Sequence, residues 1–360
     1  MTCPRDLQAT GSLTGAPLEV FGWHAIEWSH SPCALPRMTN YAAWFSLQIL
    51  LMGAVDCRPV CAQSNFTGER MPYDAFDRLS TSPIKVGGGV LNIGFAPGEF
   101  PLPRQALVTW IEKSAKTVVL YYGQFPVASA RILIVPVSGR GIRGGQAFGY
   151  RGAAIRLLVG RDSNAADLVR DWKAVHEMVH LALPDLTPSH LWLPEGLAVY
   201  VESIARVQAG DLTQEKIWGD FVRDMPQGLP QAGDRGLDNT PTWGRTYWGG
   251  AIFCLLADIE IRKRTGNKIG LQQALRGILA KDGTHERDWS MERVLRIADQ
   301  ATGVAVLSDL YEKMRASPYA PDLDALWYDL GISVRDSRVT FDDDAILAPI
   351  RRAITAAPSP

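Results

Sequence analysis

The stretch Val175-His176-Glu177-Met178-Val179-His180-Leu181-Ala182-Leu183-Pro184 decides how this chain is read. Two histidines stand four apart, with a glutamate between them, in an otherwise apolar run. On an α-helix, positions four apart project side by side. Two imidazole nitrogens on one face can then reach a common ion at about 2.0–2.1 Å. Glu177 follows His176 directly and is rotated from it by about 100°. That rotation takes it out of the ligand set and leans it over a water held by the metal, which is the mechanical content of His-Glu-x-x-His. Asp162, Ser163 or Asn164 can cap the helix and Pro184 ends it, so the pattern predicts one helix between those limits. The motif also occurs without metal, so its neighbourhood has to be read with it.

The next segment, Trp192-Leu193-Pro194-Glu195-Gly196-Leu197-Ala198-Val199-Tyr200-Val201-Glu202, begins a second helix. Pro194 suits the first helical position. Glu195 falls in the first turn, where a carboxylate is favoured. A catalytic metal with two histidines takes a third protein ligand and keeps one position for water. Glu195 is the candidate, because a short loop returns it to the histidine helix. Glu202 lies two turns further along the same face, placed to accept the outer N–H of a ligating histidine and so set its tautomer and ring angle. Either glutamate alone reads as part of a solvated helix face; placed after His-Glu-x-x-His, both join a zinc site.

These motifs resemble those of the gluzincins, the thermolysin-like metallopeptidases, and particularly the aminopeptidase-N-like branch. That branch carries His-Glu-x-x-His, then Thr-Pro, then Leu-Trp-Leu-Asn-Glu-Gly-Phe-Ala-x-Tyr-x-Glu. This chain has His176–His180, Thr187-Pro188 and Leu191–Glu202 in that order, with a shorter loop between Pro188 and Leu191. It is similar to the bacterial peptidase MA-like proteins over about residues 85–330. The resemblance implies an α+β fold: a thermolysin-like zincin catalytic domain with an N-terminal mixed-sheet lobe, a helical lobe, and the zinc site between them. It implies Zn2+ held by His176, His180 and Glu195. It also implies Glu177 as the base that takes a proton from the attacking water and hands it to the leaving amine. In the branch, a tyrosine in a Tyr-x-Lys-Gly-Ala stretch supports the oxyanion. Here Tyr247-Trp248-Gly249-Gly250-Ala251 stands in the same order, with Gly249 replacing the lysine, and Tyr247 is the candidate donor. One departure matters. The branch holds the substrate's free amine with a glutamate in Gly-x-Met-Glu-Asn, whereas Gly145-Gln146-Ala147-Phe148-Gly149-Tyr150 has no carboxylate. A strand there can still pair with a peptide backbone, but aminopeptidase specificity is not supported.

Outward from the site, four parts are expected: residues 1–62, an extension plus signal peptide; 63–163, a sheet-bearing lobe; 164–335, a helical lobe; and 336–360, a tail. Val90–Phe95 alternates like a strand, 104–122 has helical spacing, and 131–137 is a β-branched buried-strand run. Gln146–Tyr150 and Ala153–Val159 read as a hairpin. The glycine-rich piece 138–149 lacks the Gly-Lys-Ser/Thr ending of a phosphate loop, so it reads as a hairpin or a loop over a cleft. Helical patterns dominate beyond 164, interrupted by a Pro/Gly-rich loop at 225–241. The tail is expected to add one short helix after Asp342-Asp343-Asp344.

The 360 residues are 46% hydrophobic and 21% charged, with a formal net charge of −1. That balance gives no electrostatic reason to expect nucleic acid or an acidic membrane as partner. Residues 44–55 form an apolar run too short to cross a bilayer, which needs about 20 residues. Val60-Cys61-Ala62 follows as a small-residue cleavage pattern, so residues 38–62 read as a signal peptide and the protein as periplasmic or secreted, with no stable membrane span once cleaved. The absence of Lys or Arg between Met38 and the run fits this badly, and an uncleaved anchor or a buried N-terminal helix is the alternative. Cleavage leaves Cys254 as the lone cysteine, a core thiol without a disulfide. His190 reads as a loop histidine in water and His285 as solvated. Asp258, Glu260, Arg262, Lys263 and Arg264 read as a charged helix face, with an Asp258–Arg262 pair worth a few tenths of a kcal/mol. The favoured function is an exported zinc peptidase acting on a peptide or protein substrate. The rivals are a zinc hydrolase for a non-peptide substrate and a catalytically silent envelope binding protein. The sequence does not reveal the oligomeric state.

Overall fold

Parallel strands need a long crossover between them, and the first half of the chain is organised by one such crossover. The structure, a computed structural model, describes residues 66–357. The expected extension and signal segment, residues 1–62, lie outside the described residues. The described residues fall within one unit. A one-turn helix, α1 (Tyr73–Phe76), leads into β1 (Thr81–Val86) and β2 (Gly89–Phe95). Helix α2 (Arg104–Tyr122) then carries the chain to β3 (Ser129–Val137), and β4 (Ile142–Phe148) and β5 (Ala154–Gly160) complete the sheet. The strand order is β1-β2-β3-β5-β4. The inner pairs β2–β3 and β3–β5 are parallel, and the edge strands β1 and β4 are antiparallel to their neighbours.

The centre of the sheet is covered on both faces. Ile132, Leu133, Ile134 and Val135 of β3 are fully buried, as a continuous apolar run requires. Leu133 and Val135 pack with Phe66, Met71, Tyr73 and Phe76 on one side. Ile132 and Ile134 meet α2 and the helical part on the other. Helix α2 has the expected bounds: Leu107, Trp110, Ile111, Ala115 and Val118 are its buried stripe, and Gly123 closes it in the left-handed conformation. Strand β1 escaped the sequence reading because Pro83 interrupts it; at this edge of the sheet the missing N–H is tolerated.

The helical part runs α3 (Ala165–Arg170), α4 (Lys173–His180), α5 (Trp192–Gln208), α6 (Gln214–Asp224), α7 (Gly250–Arg264), α8 (Leu271–Leu279), α9 (Met291–Thr302), α10 (Val306–Met314), α11 (Leu323–Asp329) and α12 (Ala348–Thr355). The single helix expected before Pro184 is in fact two. Asn164 caps α3 by accepting from the Asp167 N–H. The chain then leaves the helix at Asp171, whose carboxylate accepts the N–H groups of Lys173 and Ala174 and starts α4. A side chain that offers new caps competes with helix continuation. The boundary expected at 335/336 also differs. It falls in the turn of a hairpin, β6 (Ile332–Arg335) and β7 (Arg338–Phe341), where Asp336 and Ser337 both take the positive φ of a tight hairpin turn. Helix α12 follows, as expected.

Of the residues expected on a charged helix face, Lys263 and Arg264 are exposed, but Asp258 and Arg262 are found inside. Asp258 is buried and accepts from Tyr200 Oη at 3.0 Å, Arg262 Nε at 2.8 Å and the Leu271 N–H at 3.0 Å. The pair is therefore part of a closed internal network rather than a solvated face. Cys254 is buried, as expected. Among the described residues no helix is long and apolar enough to cross a membrane.

Candidate metal centre

Helix α4 is short and packs between β4 and α5. Its His176 and His180 project toward the first turn of α5. His176 Nε2 lies 3.4 Å from Glu195 Oε2, and His180 Nε2 lies 3.6 Å from the same oxygen. Ligands about 2.0–2.1 Å from a tetrahedral zinc are separated by about 3.3 Å. Each histidine nitrogen thus stands near ligand spacing from the glutamate oxygen, all three donors lie within 4.8 Å of one another, and two imidazole nitrogens with one carboxylate oxygen make a donor set suited to zinc. The Trp172 ring packs edge-on against His176 at 5.3 Å, and the two histidine rings meet edge-to-face at 4.9 Å. Among the described residues, His176 Nδ1 is buried with no hydrogen-bond partner.

Glu195 reaches this point because two backbones touch. A Cβ on Gly196 would fall on the backbone of Gly250, and one on Gly250 would fall on the Trp192 carbonyl. Only glycines permit that crossing of α5 and α7. It brings the π-helical turn Arg245–Gly249, just ahead of α7, against Glu195. Such turns often occur at functional sites. Tyr247 lies on this one, with its hydroxyl near the Glu195 and Glu177 carboxylates, whose charges help to raise its pKa. The turn is braced by the loop at 225–241: Arg245 pairs with Asp234 at 2.8 Å, both side chains buried, and donates to the Gly228 carbonyl at 2.6 Å. Pro194 occupies the third position of α5 rather than the first, still within the turn whose N–H groups have no helical partner.

Glu177 faces the sheet. Its carboxyl is pushed up to about 7, first by burial and then by the Glu195 charge; His180 and the Ala147 backbone act in the opposite direction. A Cβ on Gly145 would stand 2.6 Å from Glu177 Oε1, so the glycine makes room for the carboxylate. Strand β4 lies at the edge of the sheet, paired with β5 on one side. Burial tends to raise the Glu195 carboxyl, but the flanking histidines outweigh it and hold the group well below the usual carboxylate range. Burial also lowers His176, while at His180 the Glu195 carboxylate overcomes burial and the net shift is upward. The Tyr247 hydroxyl is pushed far up by burial and by the two nearby carboxylates.

His176, His180, Glu195, Glu177 and Tyr247 are therefore together. Glu202 is not in the role expected of it. It is buried, but Oε1 takes Arg206 Nη1 at 2.6 Å and Oε2 takes Ser203 Oγ at 3.1 Å. Arg206, one turn along the same helix, claims the carboxylate that was assigned to a histidine. His190 is not a free loop histidine either: Nδ1 lies 3.0 Å from Thr187 Oγ1 and Nε2 lies 3.2 Å from Tyr311 Oη. His285, expected in water, is partly buried near His180, and burial lowers its pKa. No local pattern around Thr284-His285-Glu286 announces that placement.

No family profile and no curated protein matches this chain. Solved structures do. An aminopeptidase N family protein from Idiomarina loihiensis superposes with a TM-score of 0.53 at 15% identity, covering 72% of this chain and 50% of that one. An M1 zinc metallopeptidase from Deinococcus radiodurans gives a TM-score of 0.44 at 18% identity, covering 67% of this chain and 52% of that one. The chain spans about half the length of either. The first of these likenesses and the mixed-sheet and helical architecture agree: the fold is that of the gluzincin-like zinc metallopeptidases.

Proposed function

We propose that this chain is an exported zinc-dependent peptidase that opens peptide bonds by water attack. The observation that carries the reading is the convergence of His176, His180 and Glu195 on one point, with the buried Glu177 beside it. A zinc ion held by those three residues would supply Lewis acidity, acidifying a water and polarising the substrate carbonyl. Glu177, pushed up to about 7, is matched to accept the water's proton near neutral pH and to return it to the departing amine. The Tyr247 hydroxyl stays protonated and donates to the oxygen on which charge develops. The outer edge of β4 suits an extended peptide added as a further strand. That segment carries no carboxylate to hold a free amine, so blocked and internal peptides fit the cleft as well as free ones. Export rests on residues 38–62, and a mature chain beginning after Ala62 is its expected signature.

Glu177→Gln is the test. The variant should bind one zinc per chain, as wild type does, and lose about 10²–10⁴-fold in kcat on a panel of blocked and free peptides. Full turnover in the variant, or a wild-type protein that takes up no zinc, defeats the proposal. A wild-type enzyme that opens esters but no peptide would move the reading to a non-peptide hydrolase.

A further inference from the structure

The first turn of α5 carries Glu195, and among the described residues no side chain caps that turn. A helix start without a cap leaves its first N–H groups without helical partners and tends to fray. This one is held instead by what Trp192, the first residue of the helix, touches on two sides. Its carbonyl lies against Gly250 of α7, where a Cβ would fall on it. Its indole N–H donates to Asp238 Oδ1 at 2.8 Å, and Trp192 is only 2% exposed. Asp238 sits on a short 3-10 turn, Leu237–Asn239, whose backbone is itself tied down. The Asp238 N–H donates to the Arg315 carbonyl, just beyond α10, at 3.0 Å. The acceptor is thus anchored to a different helix from the indole it holds.

The same carboxylate holds the linker between the two ligand-bearing helices. The Tyr311 hydroxyl donates to Asp238 Oδ2 at 2.8 Å. With its one proton placed there, the phenol oxygen can only accept from His190 Nε2, 3.2 Å away. His190 Nδ1 is then left to accept from the Thr187 hydroxyl at 3.0 Å. A relay of donors therefore runs from Thr187 through His190 and Tyr311 to Asp238, and the Trp192 indole reaches the same carboxylate independently. The Tyr311 and Trp192 rings stack at 6.3 Å, which keeps the two donors side by side. We propose that Asp238 is a positioning residue of the metal centre: by fixing Trp192, it sets the first turn of α5 and with it the reach of the Glu195 carboxylate toward His176 and His180. This rests on the three-residue metal site of the reading above and not on which bond is opened there.

Three replacements in the full chain test this. Trp192→Phe removes the indole donor and keeps an aromatic ring, Asp238→Ala removes the acceptor, and Asp238→Asn keeps an acceptor oxygen for the indole. The zinc dissociation constant, read by competition with a chelator, should rise about ten- to hundredfold in the first two, the range found when a group that orients a metal ligand is lost. Asp238→Asn should recover most of that loss. The visible bands of the cobalt-substituted protein should shift in the first two variants and not in the third, because they report ligand geometry, which a loss of global stability alone leaves unmoved. Dependence on Glu195 is the sharper control. In a Glu195→Ala background, Trp192→Phe should change zinc affinity by less than about twofold, because the residue through which it acts is gone. If Asp238→Ala loses its fold, the comparison of Trp192→Phe with Asp238→Asn carries the test. Zinc affinity in Trp192→Phe equal to that of wild type overturns the proposal, as does an equal loss with and without Glu195. Zinc affinity that follows this pattern in a protein that cleaves no peptide would defeat the peptidase reading and leave the positioning role standing, whereas a wild-type protein that takes up no zinc defeats both.

Discussion

Helix α5 contributes to two clusters of buried polar side chains, one shared with α7 and one with α4. In one, Asp258 is closed off: one oxygen takes Arg262 and the Leu271 N–H, and the other takes the Tyr200 hydroxyl, all within 3.0 Å. In the other, Glu195 Oε2 faces two histidine nitrogens at 3.4 and 3.6 Å, beyond good hydrogen-bond length, and among the described residues His176 Nδ1 has no hydrogen-bond partner. Buried polar groups are ordinarily paired. A cluster that satisfies itself holds helices together. One that brings two imidazoles and a carboxylate together, with a carboxyl pushed up to about 7 alongside, is the one a functional proposal can rest on.

The contrast can be broken by experiment, beginning with the largest effect. Asp258→Ala should cost about 3–5 kcal/mol in denaturant unfolding, because it strands the buried Arg262 charge, while turnover per folded molecule stays unchanged. A loss below about 1 kcal/mol would place Asp258 among exposed pairs after all. In the other cluster, zinc at about a thousand times its dissociation constant should raise stability by about 4 kcal/mol in wild type and by far less in His180→Ala. Equal stabilisation of both, read from thermal melts with and without chelator, would locate the metal elsewhere.

The third prediction concerns pH. The folded Glu177 carboxyl titrates at about 7, above its ordinary 4.5. A group raised on folding contributes stability that is complete below the ordinary value and is lost as pH rises through the folded one. Metal-free wild type should therefore lose up to about 3 kcal/mol relative to metal-free Glu177→Gln between pH 4.5 and about pH 8. Parallel pH curves for the two proteins would show that Glu177 is not strained in this way. The smallest effect is expected of Gly145→Ala, whose Cβ would press on the Glu177 carboxylate. A fall in kcat of about tenfold, or 1.4 kcal/mol of transition-state stabilisation, with unfolding little changed, is expected. An unchanged kcat would show that β4 gives way at no cost.

The site was largely legible because helical spacing is a local property. His176 and His180 are one turn apart, Glu195 stands in the first turn of the next helix, and the run carrying Tyr247 follows with its own signature. Glu202 was misread although its true partner was also local, since Arg206 lies one turn away and competes for the same carboxylate. The break at Asp171 was missed because a capping side chain and a helical one are the same residue in a string of letters. Asp258 was placed outside because a charged pair one turn apart looks alike in water and in a core.

By itself, then, the sequence determined that His176, His180 and Glu195 come from adjacent helices with Glu177 beside them, the order of sheet before helices and the apolar stripe of α2, all properties carried by neighbours within a turn or a strand. Tertiary structure alone decided that β4 is an edge strand, that Gly145 lies beneath Glu177, and that Gly196 and Gly250 let two backbones touch. Those contacts join residues distant along the chain. They form only when the sheet and the helices are packed together, and the pattern around either partner does not encode them.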